Sequence, residues 1–111
     1  PAGAVHCSII DFAKYAQFHL KNKTLLKPQI KNELYKPTAV QDYGMGWIIS
    51  SRPWAGGTAL THAGSNTMFY TVIWLAPKKN FAAVAMCNYG GQEGFQKCDQ
   101  IIGHIIQTYL K

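Results

Sequence analysis

The fold of this chain is decided by the stretch from Tyr43 to Asn88, which reads YGMGWIISSRPWAGGTALTHAGSNTMFYTVIWLAPKKNFAAVAMCN. Runs rich in β-branched, aromatic and small apolar residues alternate here with turns that contain Gly, Pro or Asn. This pattern is typical of short strands and predicts four of them, over residues 43–51, 58–63, 68–76 and 81–88. Because each predicted strand follows closely on the last, we expect a sequential antiparallel meander.

The last two predicted strands are joined by the segment APKKN, residues 76–80. Pro77 presets the first turn angle and Asn80 tolerates a left-handed conformation, so the segment predicts a hairpin with a short loop. Apolar residues alternate along the strands with neighbours that are partly apolar too: Trp47, Ile49, Val72, Trp74, Val84 and Met86. Such strands are expected in a sheet that helices cover on at least one face.

The residues before the sheet predict helices. Ser8 followed by Asp11 is typical of a helix start, because the Ser hydroxyl accepts a backbone N–H and the acid opposes the helix dipole. An apolar stripe at helical spacing follows, made of Ile9, Phe12, Ala13, Ala16 and Leu20. It predicts an amphipathic helix over residues 8–21 with His19 at its polar edge, on the surface. A short second helix is expected near residues 29–35, after Pro28.

A closing helix is predicted over residues 92–111. Its stripe consists of Phe95, Cys98, Ile102, Ile105, Ile106 and Tyr109. Gly103 weakens this helix by up to ~1 kcal/mol relative to Ala unless close packing requires it. The whole pattern predicts an α+β fold in one domain, residues 1–111: helix and connector over 1–42, an antiparallel sheet over 43–88, and the closing helix.

Composition limits the class of protein. A chain of 111 residues with 48% hydrophobic and 13% aromatic residues can form a packed core. No stretch approaches the ~18 consecutive apolar residues of a membrane span, so we expect none. The net charge is +6, with lysines concentrated in the first third. Without an Arg-rich run or a nucleic-acid-binding motif, we interpret these lysines as a solvated face and expect no nucleic-acid partner.

Three cysteines, Cys7, Cys87 and Cys98, leave at least one unpaired and form no Cys-x-x-Cys. We therefore expect no disulfide framework and no metal site. Cys87 lies in an apolar run and is predicted to be a small buried residue.

Four segments together resemble one family: YGMGW at 43–47, His62-Ala63-Gly64, the run 69–77 and FAAVAMCN at 81–88. They are similar to the C-terminal part of serine β-lactamases and D-alanyl-D-alanine carboxypeptidases, in the branch shared by class C β-lactamases, penicillin-binding proteins and related esterases. The resemblance implies part of a β-lactamase/transpeptidase-like fold. It aligns His62-Ala63-Gly64 with the Lys-Thr-Gly or His-Thr-Gly triplet that forms one wall of the family's active site.

The resemblance also implies roles for residues of this wall. His62 would assist proton movement as an auxiliary catalytic residue, and the backbone N–H of Ser65 would be one of two oxyanion donors. Ala63, Gly64 and Asn66 would bind substrate, and neither a cofactor nor a metal is implied. Composition alone favours a plainer interpretation, in which His62 is a strand residue that a neighbour satisfies.

The acylated serine of the family lies in a Ser-x-x-Lys motif. Here the residues three places after the four serines are Asp11, Pro53, Trp54 and Met68, so none is a Lys. The family's Tyr-x-Asn or Ser-x-Asn motif is missing as well. We therefore expect no nucleophile in this chain, which would be the C-terminal piece of a serine acyl-hydrolase and inactive alone. Its first partner would be the N-terminal part of the same protein.

Two departures from the family pattern concern the substrate. Ala63 stands in place of the Thr or Ser whose hydroxyl holds a substrate carboxylate, and Thr67-Met68 replaces a pair of small glycines. Both changes favour an ester or another acyl substrate over penicillin turnover, and the resemblance leaves a β-lactam, a D-Ala peptide or an ester as the substrate class.

Two other functions stay open. The chain is alternatively a non-catalytic module that binds a peptide or a cell-wall fragment along its 58–64 strand, or an assembly domain with an exposed sheet edge. In the family the strand matching 81–88 pairs with an N-terminal strand, so we expect dimerisation through 81–88 if the chain is isolated. The resemblance alone suggests a periplasmic, extracellular or cell-envelope location.

Overall fold

The computed structural model describes residues 3–21 and 25–110 of the chain. It contains three helices and four strands: α1 (Ile9–Leu20), α2 (Pro28–Leu34), β1 (Ile48–Arg52), β2 (Gly57–Ser65), β3 (Tyr70–Ala76), β4 (Phe81–Cys87) and α3 (Gly91–Tyr109). Six residues to which the predictions extended lie outside the described residues: Pro1, Ala2, Asn22, Lys23, Thr24 and Lys111.

The four strands form one antiparallel sheet in the order β1-β2-β3-β4. The register pairs Leu60 with Ile49 on one side and with Leu75 on the other, which makes β2 an interior strand. Between β3 and β4, Asn80 has a left-handed conformation with φ 47° and ends a 3-10 turn. The α+β class, the meander and this hairpin are therefore confirmed.

Helices cover both faces of the sheet. On one face α1 packs over a cluster whose buried members are Ala16, Trp47, Leu60, Ile73 and Leu75. On the other face α3 packs over Val72, Ala83, Ala85, Cys98 and Ile102. Alternate residues of the same strands thus enter two different clusters, which explains why the strands are apolar at nearly every position.

Helix α1 begins as predicted. The Ser8 hydroxyl accepts a hydrogen bond from the backbone N–H of Asp11 at 3.2 Å and donates one to the Asp11 carboxylate at 2.8 Å. The first bond satisfies a backbone N–H that a helix N-terminus leaves without an intrahelical partner.

The prediction for His19 is wrong. This residue is only 5% exposed. Its Nδ1 lies 2.7 Å from the Tyr35 hydroxyl, and its ring contacts Trp47 edge to face with ring centroids 5.0 Å apart. Tyr35, which follows α2, and Trp47, which precedes β1, close over the polar edge of α1, so His19 is a core residue.

The prediction of a strand over residues 43–51 is wrong in its first half. The segment 43–47 is a turn in which the Gly44 N–H bonds to the Trp47 carbonyl at 2.8 Å. Gly46 has φ 84°, and a Cβ on Gly44 would lie 2.7 Å from the Leu34 carbonyl oxygen. Regular pairing with β2 starts only at Ile48.

The stripe predicted for the closing helix is correct in its middle and too long at its ends. Cys98 and Ile102 are buried, whereas Phe95 is 45% and Tyr109 is 73% exposed. Cys87 is half-buried rather than buried. No helix among the described residues has the length and apolar character that crossing a membrane requires.

Candidate active-site wall

The second half of β2 is open on one side. The pairing of β1 with β2 ends at Ile48 and Thr61, whereas β3 continues beside β2 as far as Ser65. Residues 62–65 are exposed. In an antiparallel pair, successive residues point their backbone N–H and C=O groups alternately to the two sides. Every second residue of 62–65 therefore offers its backbone groups to this open side.

His62 lies where the open segment begins. Its cross-strand partner is Ile73, so both side chains project from the face that α1 covers. The Nε2 atom of His62 lies 3.4 Å from the Tyr43 hydroxyl, and the two rings meet edge to face with centroids 6.5 Å apart. An exposed imidazole with a hydroxyl beside one nitrogen is free to exchange a proton with a bound molecule through the other.

The turn at 43–47 brings Tyr43 to this position. Tyr43 forms an isolated β-bridge with Ile48, and its carbonyl accepts hydrogen bonds from the N–H and the hydroxyl of Thr38. The chain thus folds back on itself just before β1, which sets the phenol beside the imidazole. Tyr43 is absent from the predicted site residues because the predicted strand covers 43–47, although the two glycines of Gly-x-Gly indicate a turn.

Gly64 has no internal packing reason to be a glycine. A Cβ at this position would meet only the Thr71 Cγ2 atom, at an ordinary contact distance of 3.7 Å. Gly90 and Gly94 differ, since a Cβ on either would lie 2.0 Å from a backbone oxygen. The bare backbone at Gly64 therefore leaves room on the exposed side of the strand rather than inside the fold.

Ser65 and Asn66 hold the turn that leaves β2. The Ser65 hydroxyl donates to the Phe69 carbonyl at 2.7 Å and accepts from the Thr67 N–H at 3.2 Å. The Asn66 side-chain oxygen accepts from the N–H groups of Met68 and Phe69, at 3.2 and 2.9 Å. Both side chains thus serve the turn through their oxygens, and the Ser65 hydroxyl has no His or Lys among these partners to activate it.

The turn after β2 rests against the start of α3. Thr67 has φ 74°, and its carbonyl oxygen would lie 2.0 Å from a Cβ on Gly90. The Met68 residue of this turn is 68% exposed. The bulk predicted beside the site is therefore an exposed thioether on a supported turn.

Residues 1–105 match the sequence profile of the family described as Beta-lactamase. The chain belongs to the Beta-lactamase family. This family places it among serine hydrolase-like proteins. Comparison with curated proteins and with solved structures gave no significant match.

Five residues form the candidate active-site wall in the described part of the chain. It brings together His62, Ala63, Gly64 and Ser65 on one strand and adds Tyr43 from the preceding turn. Within residues 3–21 and 25–110, no three His, Cys, Asp or Glu side chains come together as a metal site would require.

Proposed function

We propose that this chain supplies one wall of the active site of a serine acyl-hydrolase and that the acylated serine comes from outside these 111 residues. The observation that carries the proposal is the open, exposed segment 62–65 with the His62 imidazole beside the Tyr43 hydroxyl. Membership of the Beta-lactamase family supports it. The missing Ser-x-x-Lys motif and the structural use of the Ser65 hydroxyl support an external nucleophile.

In this proposal the wall binds and orients the acyl group. An extended substrate lies along residues 62–65, where the small Gly64 lets its backbone approach. The Ser65 N–H donates to the oxygen that becomes negative when the nucleophile attacks, and His62 moves a proton to or from the reacting groups. Ala63 and the backbone at Asn66 contact the substrate on either side of these groups.

The substrate we propose is an ester or another acyl compound. Ala63 offers no hydroxyl for a substrate carboxylate, and the exposed Met68 gives the rim of the site an apolar surface. We also propose that this wall is the C-terminal part of its parent protein. The parent would be related to class C enzymes, penicillin-binding proteins and esterases.

A fluorophosphonate probe tests the proposal, because it labels an activated serine covalently. We would treat the 111-residue chain and the longest protein product that contains it, each followed by peptide mapping. The expected result is no labelling of the chain, and labelling of the longer product at a Ser-x-x-Lys serine outside it. Stoichiometric labelling of Ser65, or an unlabelled longer product, would refute the proposal.

The open side of β2 also favours a second function, binding of an extended peptide as an added strand. Backbone hydrogen bonds dominate such binding, so His62→Ala would leave the affinity nearly unchanged while Gly64→Ala would weaken it. We would measure both with a short peptide ending in D-Ala-D-Ala, by calorimetry. A hydrolase wall gives the opposite pattern for turnover, in which His62→Ala has the larger effect.

A further inference from the structure

Two of the three cysteines lie side by side. The Sγ atoms of Cys87 and Cys98 are 3.6 Å apart, with the Cys98 thiol directed at the Cys87 sulfur. Cys98 is fully buried in α3, and Cys87 ends β4 half-buried. The third cysteine, Cys7, is exposed and precedes α1.

The elements that carry the pair hold it in place. Cys98 packs with Val72 and Ile102 between α3 and the sheet. The Cys87 sulfur lies 3.2 Å from the Tyr89 carbonyl and 3.8 Å from the Gly94 carbonyl, so the segment between the two cysteines wraps around it. To form a disulfide, the two sulfurs have to approach from 3.6 Å to ~2.05 Å.

We propose that Cys87 and Cys98 are a redox modification site, which a small disulfide such as oxidised glutathione converts into an intramolecular disulfide that joins the end of β4 to α3. This proposal is independent of the proposed hydrolase function, because neither thiol contacts residues 62–65.

The exchange takes two balanced steps. The Cys87 sulfur, which reaches the surface, attacks one sulfur of oxidised glutathione and releases the first glutathione thiolate, which takes up the proton that Cys87 loses. The Cys98 sulfur then attacks Cys87, its proton passes to the second glutathione leaving group, and the mixed disulfide is resolved. The two protein thiols are oxidised, and one oxidised glutathione is reduced to two thiols.

Burial and the hydrogen bond to Cys87 raise the pKa of Cys98 to about 11. The thiolate is the attacking form, so Cys98 is suited to the second, intramolecular step rather than the first. Cys87 is thus the entry point and Cys98 the resolving thiol.

The disulfide would fix the segment after Cys87, which supports the turn after β2. Tyr89 and Gly90 follow Cys87, and Gly90 packs against Thr67. A bond between Cys87 and Cys98 closes the loop 87–98, which contains the Gly90 side of this contact. In the chain-entropy description, closing a loop of this size favours the folded state by up to roughly a hundredfold in the unfolding equilibrium.

Trypsin gives a direct test, because Lys79 and Lys97 place the two cysteines in separate peptides, 80–97 and 98–111. The folded chain would be incubated with oxidised glutathione, alkylated, digested without reductant and mapped. We expect peptides 80–97 and 98–111 to be linked, an intact mass lower by two hydrogen atoms, and a melting temperature that rises on oxidation and falls again with dithiothreitol.

Matched variants identify the bond. Cys7→Ser should keep the linked peptides and the rise in melting temperature, whereas Cys87→Ser and Cys98→Ala should lose both. Alkylation of both thiols after oxidation, a stable glutathione adduct on Cys87, or linkage through Cys7 alone would overturn the proposal. A linked chain that melts below the reduced one would also overturn it, since the bond would then not fit the fold.

Discussion

At the scale of single residues, the proposed hydrolase function depends most on His62 and Tyr43. The hydroxyl of Tyr43 holds one side of an imidazole that is otherwise exposed, which restricts the orientation of the ring. In the acyl-hydrolase that we propose, the ring has to meet the reacting atoms in one orientation. Tyr43 then acts as a positioning residue for His62.

Substitutions should separate these two roles. In the labelled longer product, His62→Ala should lower turnover by roughly 100- to 10,000-fold, the usual effect of losing a general acid-base group. Tyr43→Phe should have a smaller effect on turnover and leave the melting temperature unchanged. Steady-state kinetics with a chromogenic ester would measure both, with His104→Ala on the exposed face of α3 as control. Equal rates for His62→Ala and the unsubstituted protein would reduce His62 to a structural residue.

His19 gives the fold a dependence on pH. Burial, and to a lesser degree the charge of Lys31, lower the pKa of His19 below 6.5. Its Nε2 is buried without a hydrogen-bond partner among the described residues, so a second N–H on the protonated ring would have no acceptor. Protonation therefore favours the unfolded chain.

The direction of the pH effect follows from this pKa. The stabilising contribution of neutral His19 is fully present above about pH 6.5, the ordinary value in the unfolded chain, and is lost as the pH falls towards the lower folded-state pKa. The free energy of unfolding, measured by urea titration from pH 7.5 down to 5, should decrease less steeply in His19→Gln than in the unsubstituted chain. An unchanged slope in His19→Gln would show that another group titrates.

At the scale of elements, two of the three glycines of α3 have opposite environments. A Cβ on Gly103 would meet nothing within 4 Å, whereas one on Gly94 would lie 2.0 Å from the Tyr89 carbonyl oxygen. Gly103→Ala should raise the free energy of unfolding by up to ~1 kcal/mol, because Ala loses less conformational entropy in a helix. Gly94→Ala should lower it by about 1–3 kcal/mol through overpacking.

Thermal unfolding followed by circular dichroism would compare the two variants, since ~1 kcal/mol shifts the melting temperature of a domain this size by roughly 4–8 °C. The pair is its own control, because both substitutions add one methyl group to the same helix. A melting temperature that falls equally in both variants would contradict the difference in packing.

Elements with a strong local signal could be predicted from the sequence. The Ser8 cap and the apolar stripe predicted α1 to within one residue at each end, and Pro77 with Asn80 predicted the β3–β4 hairpin. Features that depend on distant contacts could not. His19 is buried because Tyr35 and Trp47 close over it, and helical periodicity contains no information about those partners.

The candidate site also combines features that the sequence predicts locally with features that depend on distant contacts. The triplet 62–64 was found by its residues, and β2 carries it. The length of β1 decides that this segment is open, and β1 is short because Gly44 and Gly46 fold 43–47 into a turn. The pairing of Cys87 with Cys98 was missed for a related reason, since one residue ends a strand and the other lies in a helix whose docking sets the distance.

At the scale of the whole molecule, the sheet has two edges of unequal character. The edge strand β1 has five residues and ends in Ser50, Ser51 and Arg52. The opposite edge strand, β4, has seven residues without a charge, FAAVAMC. Beside it a groove of about 310 Å³ opens between α1 and β4, lined by Ala13, Ala16, Gln17, Leu20, Asn80, Phe81, Ala82 and Val84. A long uncharged edge strand is suited to pairing with another strand.

We therefore expect the isolated chain to associate through residues 81–88. Light scattering should show a molecular mass that increases with concentration, and hydrogen exchange should show amide protection along β4 that increases with it. Met86→Lys should suppress both, because an inward charge on an edge strand opposes pairing. Gln107→Lys adds the same charge on an exposed position of α3 and should leave both unchanged.

A monomer at all concentrations would mean that the β4 edge is blocked within the chain. Association that Met86→Lys leaves unchanged would assign the contact to another surface. In the longer product the same edge should already be protected at low concentration, because there we propose that a strand of the N-terminal part pairs with β4.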